Sequence, residues 1–521
     1  MNRRVVIHVI SLLLGIVGVS ESAMALAALL LGDGLRTAAQ MGLCALLAIG
    51  AAAAGFWLTR RRRGELQLQT RARDGYAGVG LGWLAASLAA ALPFILIADL
   101  TLADALFEAA SGLTTTGASV LADGLATRSG TVLRGEVIEA MPRCLLLWRA
   151  TMNWLGGIGI VFFVLLLLPL MKVAQGKMLY NAEVPGLKTD ESQLTPRLST
   201  SVKLVLGVYC ALTALCAILY WLLGMDAFDA VCHAFSTIST GGFSTHSASF
   251  AFFWERPLLQ WCAILFMFLS ACNFTLFVRS VLERREVFHH DEEFRLFLYV
   301  FVIATLLSAA LLWLRRPEGI PLLSGIQEPR GLESCLRAAA FQVSTLMSTT
   351  GFCTSDYQVW GQPAILMLFA LLMIPCGCGG STAGGMKMGR VIVLVKQLRF
   401  ELEHSLSPHA LRNVRLNGER IEPSLLNKTM AFALLYIVVL LAVAFLLALL
   451  DGADVASALG ASISSLGNIG PGFGLVGPAG AFTAFSAPAK WLLSLEMIVG
   501  RLELYTLLVM FCPSFWWRRG A

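Results

Sequence analysis

The chain has 521 residues, of which 57% are hydrophobic and 14% charged. That charge content lies well below the roughly 25% of soluble globular domains and argues against a soluble fold. The formal net charge of +6 comes from basic clusters between apolar runs, so it reads as a topology signal and implies no nucleic acid partner.

Apolar runs near spanning length occur at residues 5–31, 38–58, 76–98, 144–171, 202–223, 257–278, 294–314, 363–385, 429–450 and 488–512. They predict about ten membrane spans. The first follows Arg3 and Arg4; its length and the run close behind it favour a retained span over a cleaved signal peptide. Dense basic clusters fall at 60–63 with Arg71 and Arg73, at Lys172 and Lys177, at Arg279, Arg284 and Arg285, from Lys387 to Arg399, and at Arg518 and Arg519. Placing these in the cytoplasm puts both termini inside and leaves the sparser Arg128, Arg134, Arg315, Arg316, Arg330 and Arg337 outside.

Four polar sequences interrupt the apolar chain: Thr114-Thr115-Thr116-Gly117-Ala118, Ser239-Thr240-Gly241-Gly242-Phe243, Ser348-Thr349-Thr350-Gly351-Phe352 and Leu466-Gly467-Asn468-Ile469-Gly470-Pro471. Unwound backbone at membrane depth is tolerated only where it lines a cavity or coordinates an ion, so each is read as one wall of an ion filter. Taking Gly117, Gly241, Gly351 and Gly470 as equivalent gives spacings of 124, 110 and 119 residues, a domain-sized unit in tandem. Ahead of each lies a segment too short to cross, at 104–113, 226–238, 333–346 and 454–465, with an acidic residue near its start. A helix there points its carbonyl end at the glycine and favours a cation.

These readings predict an all-α integral membrane protein. Two extra transmembrane helices and a basic linker (1–74) precede four tandem repeats of helix, half-helix, filter turn and helix in pseudo-fourfold arrangement, at 75–190, 191–290, 291–410 and 411–521. The filter residues are Thr115, Thr116 and Gly117; Ser239, Thr240 and Gly241; Thr349, Thr350 and Gly351; and Asn468, Ile469 and Gly470. Glycine suits a strand that must aim successive carbonyls at one axis, and threonine adds hydroxyl oxygens. The fourth wall, with Asn468 and Ile469, relies on main-chain oxygens.

Gly377, Gly379, Gly380, Ser381, Thr382, Gly384 and Gly385 cluster inside one apolar run and predict a break in mid-membrane. Arg501 sits inside the last run, where a charge marks either a pathway or a pair with Glu496 or Glu503. The 12 cysteines show no CxxC; Cys376 and Cys378 read as small packing residues. His233 reads as a lone packed or water-facing imidazole. No convergent acids, bases or metal ligands suggest an enzyme.

The four filter sequences, together with Trp154-Leu155-Gly156-Gly157-Ile158-Gly159, the stretch from Gly377 to Lys387, and Gly500-Arg501-Leu502-Glu503, resemble the Trk/Ktr/HKT superfamily of potassium transport proteins. The resemblance runs from residue 75 onward, and the two extra spans before it are similar to the bacterial TrkH group. It implies potassium uptake across the bacterial inner membrane, with potassium as transported substrate held at the filter residues only and no covalently bound cofactor. It further implies a homodimer in membrane lipid, each protomer with its own pore, and a cytosolic nucleotide-binding regulatory subunit of TrkA type. The 377–385 segment corresponds to an intramembrane gate, and Arg501 to a charge facing the ion path. Ser119 and Cys353 stand where the family commonly has threonine, which bears on conductance. The alternative is a secondary transporter, a proton- or sodium-coupled symporter using the broken-helix sites for substrate; inverted repeats would favour it, whereas these four run in the same order.

Overall fold

The computed structural model describes residues 1–60, 72–170, 194–283, 287–315, 319–407 and 414–517. The basic residues 61–63, Arg71, Lys172, Lys177, Arg284, Arg285, Arg316, Arg518 and Arg519, and the boundaries expected after 190 and 410, lie outside them. Among the described residues six helices are long and apolar enough to cross a membrane: Arg3–Leu30, Leu35–Thr59, Arg73–Leu96, Lys203–Leu222, Glu292–Arg315 and Pro423–Asp451. Their outward faces carry bare aliphatic and aromatic side chains, such as Leu434, Leu441, Phe445 and Leu449. Such surface is stable only against lipid.

The first two helices form an antiparallel hairpin joined by a tight turn in which Gly32 and Gly34 have positive φ. Small residues let the two backbones approach, with Gly18 against Ile49 and Gly55 against Ser11. The turn also does work for the next repeat, because the Asp33 carboxylate accepts from Arg143 N (3.0 Å) and Cys144 N (2.7 Å). The expected boundary after 74 falls just inside a helix that begins at Ala72, where Asp74 accepts from the backbone of Asn2.

Four times the chain then runs through a long helix, a buried short helix, an extended turn and a second long segment. The short helices are Leu102–Leu113, Ala227–Ile238, Leu332–Met347 and Val455–Gly467. Their starts are capped much as the acidic residues suggest. Asp226 and Asp454 accept backbone N–H groups of the first turn, and at the first helix Thr101 accepts from Asp104 N. Hydrogen bonding from Ser457 holds the exposed Asp454 carboxyl below its ordinary pKa. Glu333 instead pairs with Arg337 (2.8 Å) and Trp261 (2.9 Å). A buried ion pair of 2.6 Å between Asp104 and Lys490 closes the bundle, tying the first repeat to the fourth.

The second segments differ from the uniform spans expected. Only Arg143–Leu170 continues unbroken. The run at 257–278 bends by 91° between Pro257–Ser270 and Phe274–Ser280, because the Asn273 side chain accepts from Thr275 N and restarts the helix in a new direction. The run at 488–512 ends its helix at Arg501 and turns back through Glu503 and Leu504, both at positive φ. Between Pro363–Leu372 and Met388–Leu406 the chain leaves the helix altogether, and a two-residue parallel pairing of Pro375–Cys376 with Met386–Lys387 staples the base of the resulting loop.

Candidate functional site

All four short helices end in the same way. The N–H groups of Thr116, Gly241, Thr350 and Ile469 reach back five residues to the carbonyls of Ser111 (2.8 Å), Ser236 (2.7 Å), Thr345 (2.9 Å) and Ser464 (2.9 Å). This is the Schellman helix stop, which needs a left-handed residue one position earlier. Those residues are Thr115, Thr240, Thr349 and Asn468, with φ of 53°, 56°, 57° and 53°. Asparagine adopts this conformation readily, whereas a β-branched threonine is strained there by about 1–3 kcal/mol. Strain repeated three times at one depth marks a place whose backbone path matters more than its stability.

The next positive-φ residues are Gly117, Gly242, Gly351 and Gly470, and they touch one another's turns in order. A methyl group placed on Gly117 would lie less than 3.0 Å from the carbonyl oxygen of Gly241; on Gly242, from that of Thr350; on Gly351, from that of Ile469; and on Gly470, from that of Thr116. The contacts close a ring of four turns. They also correct the equivalence expected from sequence, since the second-repeat partner of Gly117 is Gly242, one residue beyond Gly241. Gly241 occupies the position of Thr116, Thr350 and Ile469, and it is a glycine because Asn153 fills the space a side chain would take. Ser239, correspondingly, matches Thr114 and Ser348 at the helix end.

The ring's chemistry lies in its oxygens. Among the described residues no hydrogen-bond donor reaches the carbonyls of Thr115, Thr240, Thr349 and Asn468, or those of Thr116, Gly241, Thr350 and Ile469. All eight residues are buried. Buried carbonyls are nearly always paired, so two stacked sets of four are an arrangement made to meet positive charge, helped by four helix C-termini that converge there. The hydroxyls behave less uniformly. Those of Thr116 and Thr350 fold back onto Thr114 (2.7 Å) and Ser348 (2.6 Å), and Thr116 also accepts from Asn468 Nδ2 (3.0 Å).

The glycine loop lies against the ring on the side away from the short-helix starts. Gly384 N donates to Thr349 Oγ1 at 2.8 Å, and Gly384 itself abuts the Gly467 carbonyl and Asn468. The Thr382 hydroxyl sits 3.0 Å from the Ile238 carbonyl and 3.2 Å from that of Ser270. Ser381 Oγ turns inward to Cys378 O (2.6 Å), Gly377 packs on Ala383, and Gly385 packs on Cys376. Gly380 receives the Phe274 N–H at the bend in the second repeat. Gly379 N donates to the buried Glu293 carboxylate at 2.8 Å, and Gly389 N donates to the same oxygen at 2.6 Å.

Arg501 is buried and pairs with neither expected acid. Its guanidinium donates to Thr382 O (2.7 Å) and Gly156 O (3.1 Å), bridging the loop to the first repeat. Glu503 pairs with Arg390, and Glu496 accepts from Ser462 (2.7 Å).

Several residues that shape the site escaped the sequence reading. Gly242 was signalled by the Ser/Thr-Thr-x-Gly pattern shared by three of the turns, whereas Asn153 had no signal because its partner is 88 residues away. Glu293 sits at the edge of an apolar run, where an acid reads as interfacial; only the fold turns it inward.

Four repeats running in one direction around a ring of unpaired carbonyls, within a bundle of apolar spans, define a multi-pass membrane transport protein. The family model for TrkH, described as a cation transport protein, matches residues 43–517, and the chain belongs to that family, whose members are transporters and not enzymes. It is 34% identical to the Trk system potassium uptake protein TrkH of Escherichia coli K12, over 99% of this chain and all of that one. Similarity to the Trk system potassium uptake protein TrkI of Halomonas elongata is also 34%, over 84% and 82% of the two chains. The crystal structure of the potassium transporter TrkH from Vibrio parahaemolyticus superposes with a TM-score of 0.83 at 31% identity, covering 99% of this chain and 100% of that one.

Proposed function

We propose that the chain takes up potassium across the bacterial inner membrane, with the four-turn ring as its selectivity filter. The observation that carries this is the double set of buried, unpaired carbonyls. Such oxygens replace the hydration shell of a monovalent cation that sheds water on entry, and the relatives are named for potassium. The ion approaches from the side of the short-helix starts, which is the outer face, and leaves past the glycine loop; both termini are cytoplasmic, in keeping with the basic clusters.

The 377–385 loop is the gate in this reading. It is held by hydrogen bonds to Glu293, Thr349, Ile238, Ser270, Ala271, Phe274 and Arg501, mostly through backbone groups, and these are what must exchange for the way to open. Arg501, with no carboxylate beside it among the described residues, places a positive charge under the filter and limits how long a cation stays. The functional unit is a homodimer with a pore in each protomer, and a cytosolic nucleotide-binding subunit of TrkA type controls the loop; the relatives are named as parts of a Trk system.

The test is ion-gradient flux in liposomes, comparing potassium, rubidium, sodium and lithium with and without a pH gradient. Potassium and rubidium should pass in preference to sodium and lithium, and Gly117→Ser should erode that preference. Equal sodium and potassium flux through the unmodified protein would sink the reading, and a requirement for the pH gradient would replace passive flux with coupled transport.

A further inference from the structure

Counting back seven residues from each left-handed residue of the ring gives Glu108, His233, Gln342 and Ala461. The first three are wholly buried polar side chains on the short helices. Each reaches the strand that leaves its own turn toward the outer face. Glu108 Oε1 accepts from Val120 N (2.9 Å), Leu121 N (3.4 Å) and the Ser119 hydroxyl. His233 Nδ1 lies 2.8 Å from Asp229 O, which can only accept, so Nδ1 carries the proton and Nε2 accepts from Ser244 Oγ at 3.0 Å. Gln342 Nε2 donates to Ser355 O at 3.1 Å. The fourth repeat has alanine, and there Tyr357 of the third repeat holds the strand by donating to Gly472 O (2.6 Å).

One of these braces couples two walls. Arg149 Nε lies 3.5 Å from Glu108 Oε2, with both side chains almost fully buried. The same guanidinium donates to Ser119 Oγ (3.2 Å) and to Ser244 O (3.1 Å), and it stacks 4.0 Å over the Phe243 ring. Ser119 therefore gives its proton to Glu108 and accepts from Arg149. The strands just beyond Gly117 and Gly242 are thus stitched together by a single buried charge pair.

We propose that Glu108 and Arg149, joined through Ser119, are specificity-determining positioning residues that fix the outer edge of the ring in the first two repeats. This rests on the ring being the potassium filter. A carbonyl site discriminates between ions of similar charge only while its oxygens stay in place, and a constellation whose supporting side chains are loosened loses that discrimination before it loses passage.

The experiment measures potassium and sodium flux, with melting temperature, for the full chain in liposomes. Ser119→Ala, which removes only the bridging hydroxyl, should lower the potassium-to-sodium ratio about threefold, and Glu108→Gln about tenfold, with total cation flux retained. Glu108→Gln combined with Arg149→Gln should lower it further, because the bond to Ser244 O is lost as well, but by less than the product of the two single effects; a full product would uncouple the pair and refute the brace. Gly117→Ser serves as the control for the filter itself. If it abolishes selectivity while Ser119→Ala and Glu108→Gln keep the native ratio, the brace is refuted and the filter stands. Parallel loss of both fluxes at an unchanged ratio also refutes it, assigning the pair to folding alone. Should Glu108→Gln lose its fold, the ratio in Ser119→Ala decides. An unmodified protein that passes both ions equally removes the filter and the brace together.

Discussion

The ring is held differently on its two sides. On the side of the short-helix starts, buried side chains grip each departing strand: Glu108 with Arg149, His233 and Gln342, and at the fourth strand Tyr357. On the opposite side, a glycine-rich loop with little side-chain bulk is held by the Glu293 carboxylate, the Thr349 hydroxyl, the Arg501 guanidinium and the backbone groups of Ile238, Ser270, Ala271 and Phe274. The bonds on the short-helix side are spread around all four walls, with a brace on each strand. The loop's bonds mostly involve backbone N–H or C=O groups, and its Cys378 and Ala383 pack in a buried apolar cluster. In the proposed reading, the part that discriminates is braced by buried side chains, and the part that moves is held largely through its own backbone.

The largest effect should come from the ring itself. Gly242→Ala adds a methyl group against the Thr350 backbone at a positive φ, a strain of a few kcal/mol that should cost about 100-fold in potassium flux. Gly241→Ala meets the Asn153 side chain instead, so pairing it with Asn153→Ala should recover much of the flux, and no such partner should rescue Gly242→Ala. Equal behaviour of the two glycines would undo the register derived from the ring contacts.

On the inner side the sign reverses. Glu293→Ala leaves the N–H groups of Gly379 and Gly389 without their shared acceptor, and basal flux should rise about tenfold as the loop loses hold; shortening the 377–385 loop should act in the same direction. Unchanged or reduced flux in a correctly folded variant would make the segment structural. Arg501→Ala should raise flux by a smaller factor, about threefold, with little change in melting temperature, because no carboxylate is stranded by its removal. A large drop in stability without a gain in flux would count against the pathway role. The smallest change should be that of Thr382→Val, which removes one hydroxyl bond of about 1 kcal/mol and should raise flux about twofold while leaving the outer selectivity as it was.

Much of this architecture was legible in the chain. Seven of the ten expected spans are continuous helices, while the runs at 257–278, 363–385 and 488–512 are broken; those seven, with the four short helices and the four turns, follow from apolar length, acidic starts and recurring glycine. The loop was legible for the same reason, since glycines so concentrated do not sustain a helix. What was hidden is what depends on neighbours distant in sequence. Gly241 and Gly242 cannot be told apart until Asn153 is seen behind one and Thr350 beside the other. The bend at Asn273 lies in a run whose hydropathy is continuous, and the inward turn of Glu293 is decided by a loop nearly a hundred residues later. Sequence alone leaves Arg501 between a pathway role and a pair, because the engagement of Glu496 with Ser462 and of Glu503 with Arg390 depends on the fold.

The ion pair between Asp104 and Lys490 joins positions 386 residues apart, and it lies at the seam where the last repeat meets the first. Three repeats enclose nothing: the wall carrying Gly470 and the helix carrying Lys490 come from the final stretch of the chain. A ribosome that has delivered most of this protein has therefore put an open trough in the membrane, and the enclosure that would pass ions comes into being only when the latest segment to emerge clasps the earliest repeat.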